Sequence, residues 1–246
     1  MYHDFIQEAD FFIGSTQVLA NAATQMGTPG FVIRNGLNDK QVALSEQALM
    51  LRDKPDEMGI IRIGYLPGTR THRADFAVAI HAIIQILEEF PQTILSIRGE
   101  FEIPTELEDF QDRIELLPFV YWEDLIGAMI SLDINLAPLE LDNPYTEAKS
   151  ALKYFEPALV EIPTIASATE DFRVAIRSGY NGFLATTSED WYLYLRCLIV
   201  DADLRVQMGK AAREHVLRHY TSSIQSVDTI NIFRMILGSY QPSISP

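Results

Sequence analysis

Short apolar runs alternate along this chain with longer stretches in which apolar residues recur every three or four positions. An unbroken run of four to eight apolar residues suits a strand buried on both faces, and the 3.6-residue recurrence suits a helix with one buried side. Strands of this kind are expected at residues 10–14, 31–33, 60–65, 93–99, 114–120, 133–138 and 164–167, with a turn and strand at 181–185. The intervening stretches predict helices. One ends within residues 1–9, and a second runs to Met26 with Ser15 as its cap. A polar helix and linker covers 39–57, an apolar helix 75–90, an acidic helix or loop 101–112, and a helix after Tyr121 reaches Ile130. After a loop at 168–171 a further helix ends at Gly179, and three more cover 191–200, 203–220 and 223–237, with Trp191 as a core residue.

From Ile60 onward strand and helix alternate four times, which specifies a parallel α/β sheet of Rossmann-like type with helices on both faces. Ligands of such sheets sit at the carboxyl ends of the strands. No internal repeat or low-complexity segment interrupts the pattern.

The stretch 143–167 carries the densest chemistry. Asn143 followed by Pro144 starts a helix, because the asparagine caps free N–H groups and the proline needs none. A single helix from there places Ala148, Leu152, Phe155 and Leu159 on one side and Lys149, Lys153 and Glu156 on another. Two readings of the charged side remain open. It is an exposed face stitched by pairs three and four residues apart, or it is a site for a phosphorylated, hydroxyl-rich ligand. A second candidate lies at the end of the strand 60–65, where Gly68, Thr69 and His72 fall in a loop between strand and helix. That arrangement presents backbone N–H groups to phosphate, and it is equally the arrangement of an ordinary βα turn.

Composition narrows the choice. At 48% hydrophobic and 22% charged, 246 residues bury a full core, as one large domain or two small ones. A net charge of −15 argues against nucleic acid or anionic lipid as partner, so any phosphate site has to be local. The single cysteine, Cys197, excludes an internal disulfide, fits a reducing compartment and reads as a small buried hydrophobe. The first residues lack the pattern of a signal peptide and no apolar run reaches membrane-spanning length, so a cytoplasmic location is expected. Of five histidines only His215 and His219 stand four apart; with no Glu or Cys to complete a metal site, they read as a solvated helix face. The sequence holds no Gly-x-Ser-x-Gly elbow and no Walker lysine.

Two blocks carry a family resemblance. Gly64-Tyr65-x-x-Gly68-Thr69-x-Thr71-His72-x-x-Asp75-Phe76 and the stretch 143–167, ending Ile162-Pro163-Thr164-Ile165-Ala166-Ser167, resemble the donor-binding half of GT-B glycosyltransferases of the retaining, family 4 type. The resemblance spans residues 10–220. It implies a remnant of an amino-terminal acceptor domain and connector at 1–40, a linker helix at 41–59, a nucleotide-sugar-binding domain at 60–220, and a terminal helix and tail at 221–246. Most of the acceptor half would then be absent from this chain, and apolar surface at Phe11, Phe12 and the last helix would favour self-association.

The implied reaction moves a sugar from a nucleoside-diphosphate sugar to a hydroxyl of a carbohydrate or glycoconjugate, as in cell-surface polysaccharide synthesis, without metal or cofactor. By resemblance Lys149 and Lys153 meet phosphate, Glu156 the ribose hydroxyls, Glu147 the donor sugar, Gly68 with Thr69 the diphosphate, and the backbone at Phe119 and Val120 the base; His72 approaches the phosphate or sugar. The sequence departs from the family pattern in three places. Eight residues instead of seven separate Glu147 from Glu156, Pro157 follows Glu156, and Glu161 stands where a glycine commonly ends the helix. A non-catalytic nucleotide-sugar or partner-binding module is the alternative.

Overall fold

A computed structural model describes residues 2–51, 59–68 and 73–239. The chain begins with α1 (Tyr2–Glu8), β1 (Phe12–Gly14), α2 (Gln17–Gln25) and β2 (Gly30–Val32), and β1 and β2 pair in parallel as a small sheet of their own. α3 (Asp39–Leu51) follows and packs against the helix Trp122–Met129 of the main unit. The main unit runs β3 (Ile61–Gly68), α4 (Arg73–Ala77), α5 (Ile80–Glu89), β4 (Thr93–Gly99), a 3₁₀ helix at Thr105–Arg113, β5 (Ile114–Leu117), α6 (Trp122–Met129) and β6 (Ile134–Ala137). It continues with α7 (Pro144–Glu147), α8 (Leu152–Leu159), β7 (Thr164–Ser167), α9 (Glu170–Ala175), β8 (Phe183–Ala185), α10 (Ser188–Val200), α11 (Ala202–His219) and α12 (Ser222–Ser239).

The six strands pair in parallel throughout, in the order β5-β4-β3-β6-β7-β8. The expected parallel α/β sheet is therefore present, with 60–65 and 133–138 contributing its two central strands. Helices cover both faces. Ile63 and Tyr65 of β3 point into one core with Phe76, Ile83 and Trp191, while Ala166 of β7 joins a second core with Phe155, Leu159 and Val216. The strand order reverses between β3 and β6. At such a switch point the connecting loops diverge and leave a crevice above the carboxyl ends of the strands.

Several boundaries differ from expectation, each because a tertiary partner takes a backbone group. The single helix from Asn143 breaks into α7 and α8. Asn143 does accept from Tyr145 N–H as the cap, but the Ala148 carbonyl accepts from Thr16 Oγ1 at 3.2 Å, and Ala151 N–H donates to Asp171 Oδ2 at 2.9 Å. The broken axis also dissolves the predicted face of Ala148, Leu152, Phe155 and Leu159: Phe155 and Leu159 are buried, Ala148 and Leu152 only half-buried. The helix expected over 75–90 splits where Ala79 N–H bonds Phe76 O, a tighter i→i−3 turn that keeps both residues in the core. Thr16, not Ser15, caps α2. β5 stops at Leu117 because Pro118 has no N–H for the ladder.

The helix expected to reach Gly179 ends at Ala175, where Asn181 takes over, accepting from Arg177 N–H and donating to Ala175 O. Cys197 is exposed rather than buried, since Trp191, Leu195 and Leu198 set the buried side of α10 and position 197 falls opposite. His215 is half-buried with its Nδ1 3.4 Å from Tyr154 Oη, so only His219 faces solvent as expected. Glu161 does take the left-handed conformation that a glycine usually provides, at φ 57°. Among the described residues no helix is long and apolar enough to cross a membrane.

Candidate functional site

A cavity of about 190 Å³ opens at the carboxyl ends of the strands, at the β3/β6 reversal. Leu66 and Pro67 from the end of β3 and Asn135 and Leu136 from β6 form its floor. Phe119, Val120, Leu125 and Met129, from the loop after β5 and from α6, form an apolar end. Arg98, Lys153 and Glu156 bring the charge.

Lys153 is the least ordinary of these. Its Nζ is buried and, among the described residues, has no hydrogen-bond partner, and it lies 5.4 Å from the centre of the Tyr65 ring. Burial pushes its pKa down to about 8; Asp75 pulls it the other way, and nearby Lys149 adds to the fall. The helix that carries it is held from below, because Asn135 Nδ2 donates to Lys153 O at 2.9 Å and to Thr164 Oγ1 at 3.2 Å. Glu156, one turn along α8, lines the same cavity, and burial pushes its carboxyl up to about 7 against the opposing pull of Lys153. An ammonium and a carboxyl thus share a poorly hydrated space, each held away from its ordinary proton affinity. The reading of this side as an exposed, pair-stitched face fails for Lys153 and Glu156.

Lys149 has separated from them. The helix break turns it toward Asp75, whose Oδ2 it meets at 2.9 Å, and its Nζ sits 5.0 Å from the centre of the Tyr145 ring. Asp75 is itself buried and accepts from Glu140 N–H through its other oxygen. Glu147 lies outside the cavity, and its Oε2 accepts from the N–H of Glu170 at the start of α9 at 2.9 Å. Beside it Asp171 bridges two elements: one oxygen takes Arg34 of the amino-terminal unit, the other the Ala151 N–H ahead of α8. Burial raises the Asp171 pKa, and these two donors oppose the rise. Asn35 adds a bond from the same unit to Ser150 Oγ at 2.7 Å.

The sequence profile described as glycosyl transferase-like matches residues 77–229, well over half of the chain. The chain belongs to this glycosyl transferase-like family. Its fold is that of the carboxyl-terminal half of GT-B glycosyltransferases. HepE from Anabaena, solved with UDP-glucose, superposes with a TM-score of 0.71 at 17% identity, covering 92% of this chain and 64% of that one. A TarM mutant from S. aureus, solved with fondaparinux, α-GlcNAc-glycerol and UDP, gives 0.70 at 14%, covering 94% and 45%. Sucrose-phosphate synthase from Thermosynechococcus elongatus gives 0.70 at 14%, covering 97% and 61%. The chain thus spans between under half and just under two thirds of these three proteins. No curated protein sequence matches it significantly.

In this glycosyltransferase-like chain the structure brings together Phe119, Val120, Lys153 and Glu156 of the residues singled out from sequence. Gly68 ends β3 just beyond Pro67, paired with Gly99 across an irregularity in the ladder. Thr69 and His72 lie outside the described residues. Lys149 and Glu147 neighbour the cavity without lining it. Arg98, Asn135 and Asp75 escaped sequence reasoning. Arg98 and Asn135 sit inside strands whose apolar run hid them; Asp75 was read only as part of a motif, although a carboxylate on an otherwise apolar helix start signals a buried partner.

Proposed function

We propose that the chain is the donor-binding part of a glycosyltransferase, which moves a sugar from a nucleoside-diphosphate sugar to a hydroxyl acceptor. The observation that carries this reading is the buried Lys153 ammonium beside Glu156, in a cleft at the strand reversal of a glycosyl transferase-like chain. A buried ammonium with no hydrogen-bond acceptor among the described residues is suited to an incoming anion. When the sugar's bond to diphosphate breaks, the electron pair stays on the phosphate oxygen, and a preformed positive charge there lowers the barrier. UDP and UDP-glucose bound to similarly folded proteins support a nucleoside diphosphate as that anion.

Lys153 then meets the diphosphate, Gly68 and Thr69 approach it by backbone, and Glu156 accepts from the ribose hydroxyls. Lys149 stays with Asp75 and adds positive potential from a distance; Glu147 reaches the donor sugar through its second oxygen. Within this reading the enzyme is of family 4, retains configuration at the sugar, needs neither metal nor cofactor, and works in the cytoplasm on cell-surface polysaccharide or glycoconjugate precursors. The engagement of Glu147 by Glu170 N–H favours a second reading, a module that binds nucleotide sugar without transferring it.

Calorimetry with UDP, GDP, CDP and ADP, run beside turnover with a panel of nucleotide sugars and acceptors, tests both. Saturable nucleoside-diphosphate binding with sugar transfer supports the first reading, and binding without any transfer supports the second. No binding of any nucleoside diphosphate refutes both.

A further inference from the structure

Arg98 is the one cation lining the cleft that the reading above leaves without a task. It is the last residue before Gly99 at the carboxyl end of β4, and it lines the same cavity as Lys153. Its one hydrogen bond among the described residues is long, Nη1 donating to Pro118 O at 3.4 Å, and it has no carboxylate partner there. Arg62, earlier on the neighbouring strand β3, does have one, Glu115 at 3.6 Å. Half-buried and desolvated, Arg98 feels a downward pull on its pKa, yet a guanidinium stays charged in proteins.

Topology separates its neighbourhood from that of Lys153. Asn135 of β6 holds the Lys153 carbonyl, whereas Arg98 belongs to β4, two strand spacings or roughly 10 Å across the sheet. The bond to Pro118 also turns the guanidinium outward, over the end of β5. The two cations thus stand on different elements and face the cavity from different sides, which suits contacts to different parts of one ligand. The ligand of such a cleft is elongated, anionic at the Lys153 end. At the Arg98 end the walls are Phe119, Val120, Leu125 and Met129, which suit a flat ring with apolar faces.

A guanidinium offers five donors and no acceptor, so the ring edge in front of it has to present acceptors. On the edge that bears the 4-substituent of a pyrimidine or the 6-substituent of a purine, uracil and guanine present a keto oxygen, whereas cytosine and adenine present an exocyclic amine and place N–H against N–H.

We propose that Arg98 selects the nucleobase of the donor by reading that edge, admitting uracil and guanine and rejecting cytosine and adenine. This rests on the nucleoside-diphosphate reading of the cleft. The test is competitive binding of UDP, GDP, CDP and ADP to the chain and to its Arg98→Leu and Arg98→Lys variants, with UMP beside UDP as a measure of the phosphate contact. The chain itself is expected to favour UDP and GDP by about tenfold or more. Arg98→Leu should bring the four within roughly threefold of one another, and Arg98→Lys, which keeps the charge without the fork, should do most of the same. The UDP to UMP ratio should not move, and melting curves confirm that both variants are folded. Base ratios that are flat in the parent chain, or unchanged in both variants, overturn the assignment of Arg98 alone. Failure of all four diphosphates to bind the parent chain overturns the donor reading and this inference with it.

Discussion

Replacing Lys153 with methionine should make the protein more stable and worse at binding its ligand, an opposition that separates a functional lysine from a structural one. Methionine keeps the apolar stem and removes only the ammonium. Burial lowers the pKa of that ammonium from 10.5 to about 8. At about 1.36 kcal/mol per tenfold change in proton affinity, holding the charge in place costs roughly 3 kcal/mol. That figure is already net of the attraction to Asp75 and Glu156, so Lys153→Met should gain on the order of 1–3 kcal/mol near pH 7. For a chain of this size that is a rise in Tm of roughly 2–12 °C. A charge-assisted bond to phosphate is worth about 1.5–3 kcal/mol, so affinity for nucleoside diphosphates should fall roughly 10- to 150-fold.

The pH dependence fixes the sign. The lysine's folded pKa is depressed, so between about 8 and 10.5 the unfolded chain binds more protons and folding of the parent strengthens as pH rises. The variant's advantage should therefore be full below pH 8 and fade toward pH 10.5. Thermal melts across that range and calorimetry with UDP are the assays. A lower Tm for Lys153→Met at pH 7, or an unchanged affinity for every nucleoside diphosphate, refutes the reasoning.

Glu156→Gln should weaken binding about tenfold and erase any preference for ribo- over 2′-deoxyribonucleoside diphosphates, which titration with UDP and dUDP reads directly. Gly209→Ala should destabilise the chain by roughly 1–3 kcal/mol despite the better helix propensity of alanine, because its Cβ would stand 2.0 Å from the Glu161 carbonyl oxygen; urea unfolding measures this. Glu161→Gly should stabilise by up to about 1 kcal/mol, by removing the left-handed strain of a residue with a Cβ while adding backbone entropy to the unfolded chain, again by urea unfolding.

The order of elements was readable because each buried strand is an apolar run and each helix shows its own period. Thr93–Gly99 and Thr164–Ser167 could be placed to the residue for that reason. What resisted is what depends on a partner far along the chain. Nothing local in the stretch 148–151 announces a break; it comes from Thr16 and Asp171 taking backbone groups of Ala148 and Ala151. That break decides the site, since a continuous helix would keep Lys149 with Lys153 and Glu156, whereas the observed one sends Lys149 to Asp75. Arg98 was hidden for the opposite reason. Periodicity places a residue on a sheet face, but only the position of Pro118 and the cavity beyond it gives that face a use.

The bridge at Asp171 has a mechanical consequence. One carboxylate holds both Arg34, at the end of the amino-terminal unit, and the amide of Ala151 ahead of the helix that presents Lys153 and Glu156. Pulling Arg34 away would strand a buried carboxylate, favour its protonation and slacken its grip on that amide. The seat of β1, α2 and β2 and the alignment of the two cavity charges are thereby fastened to the same rivet. By linkage, a ligand that bound better with the Asp171 bridge formed would in turn favour that bridge, and with it the seat of the amino-terminal unit.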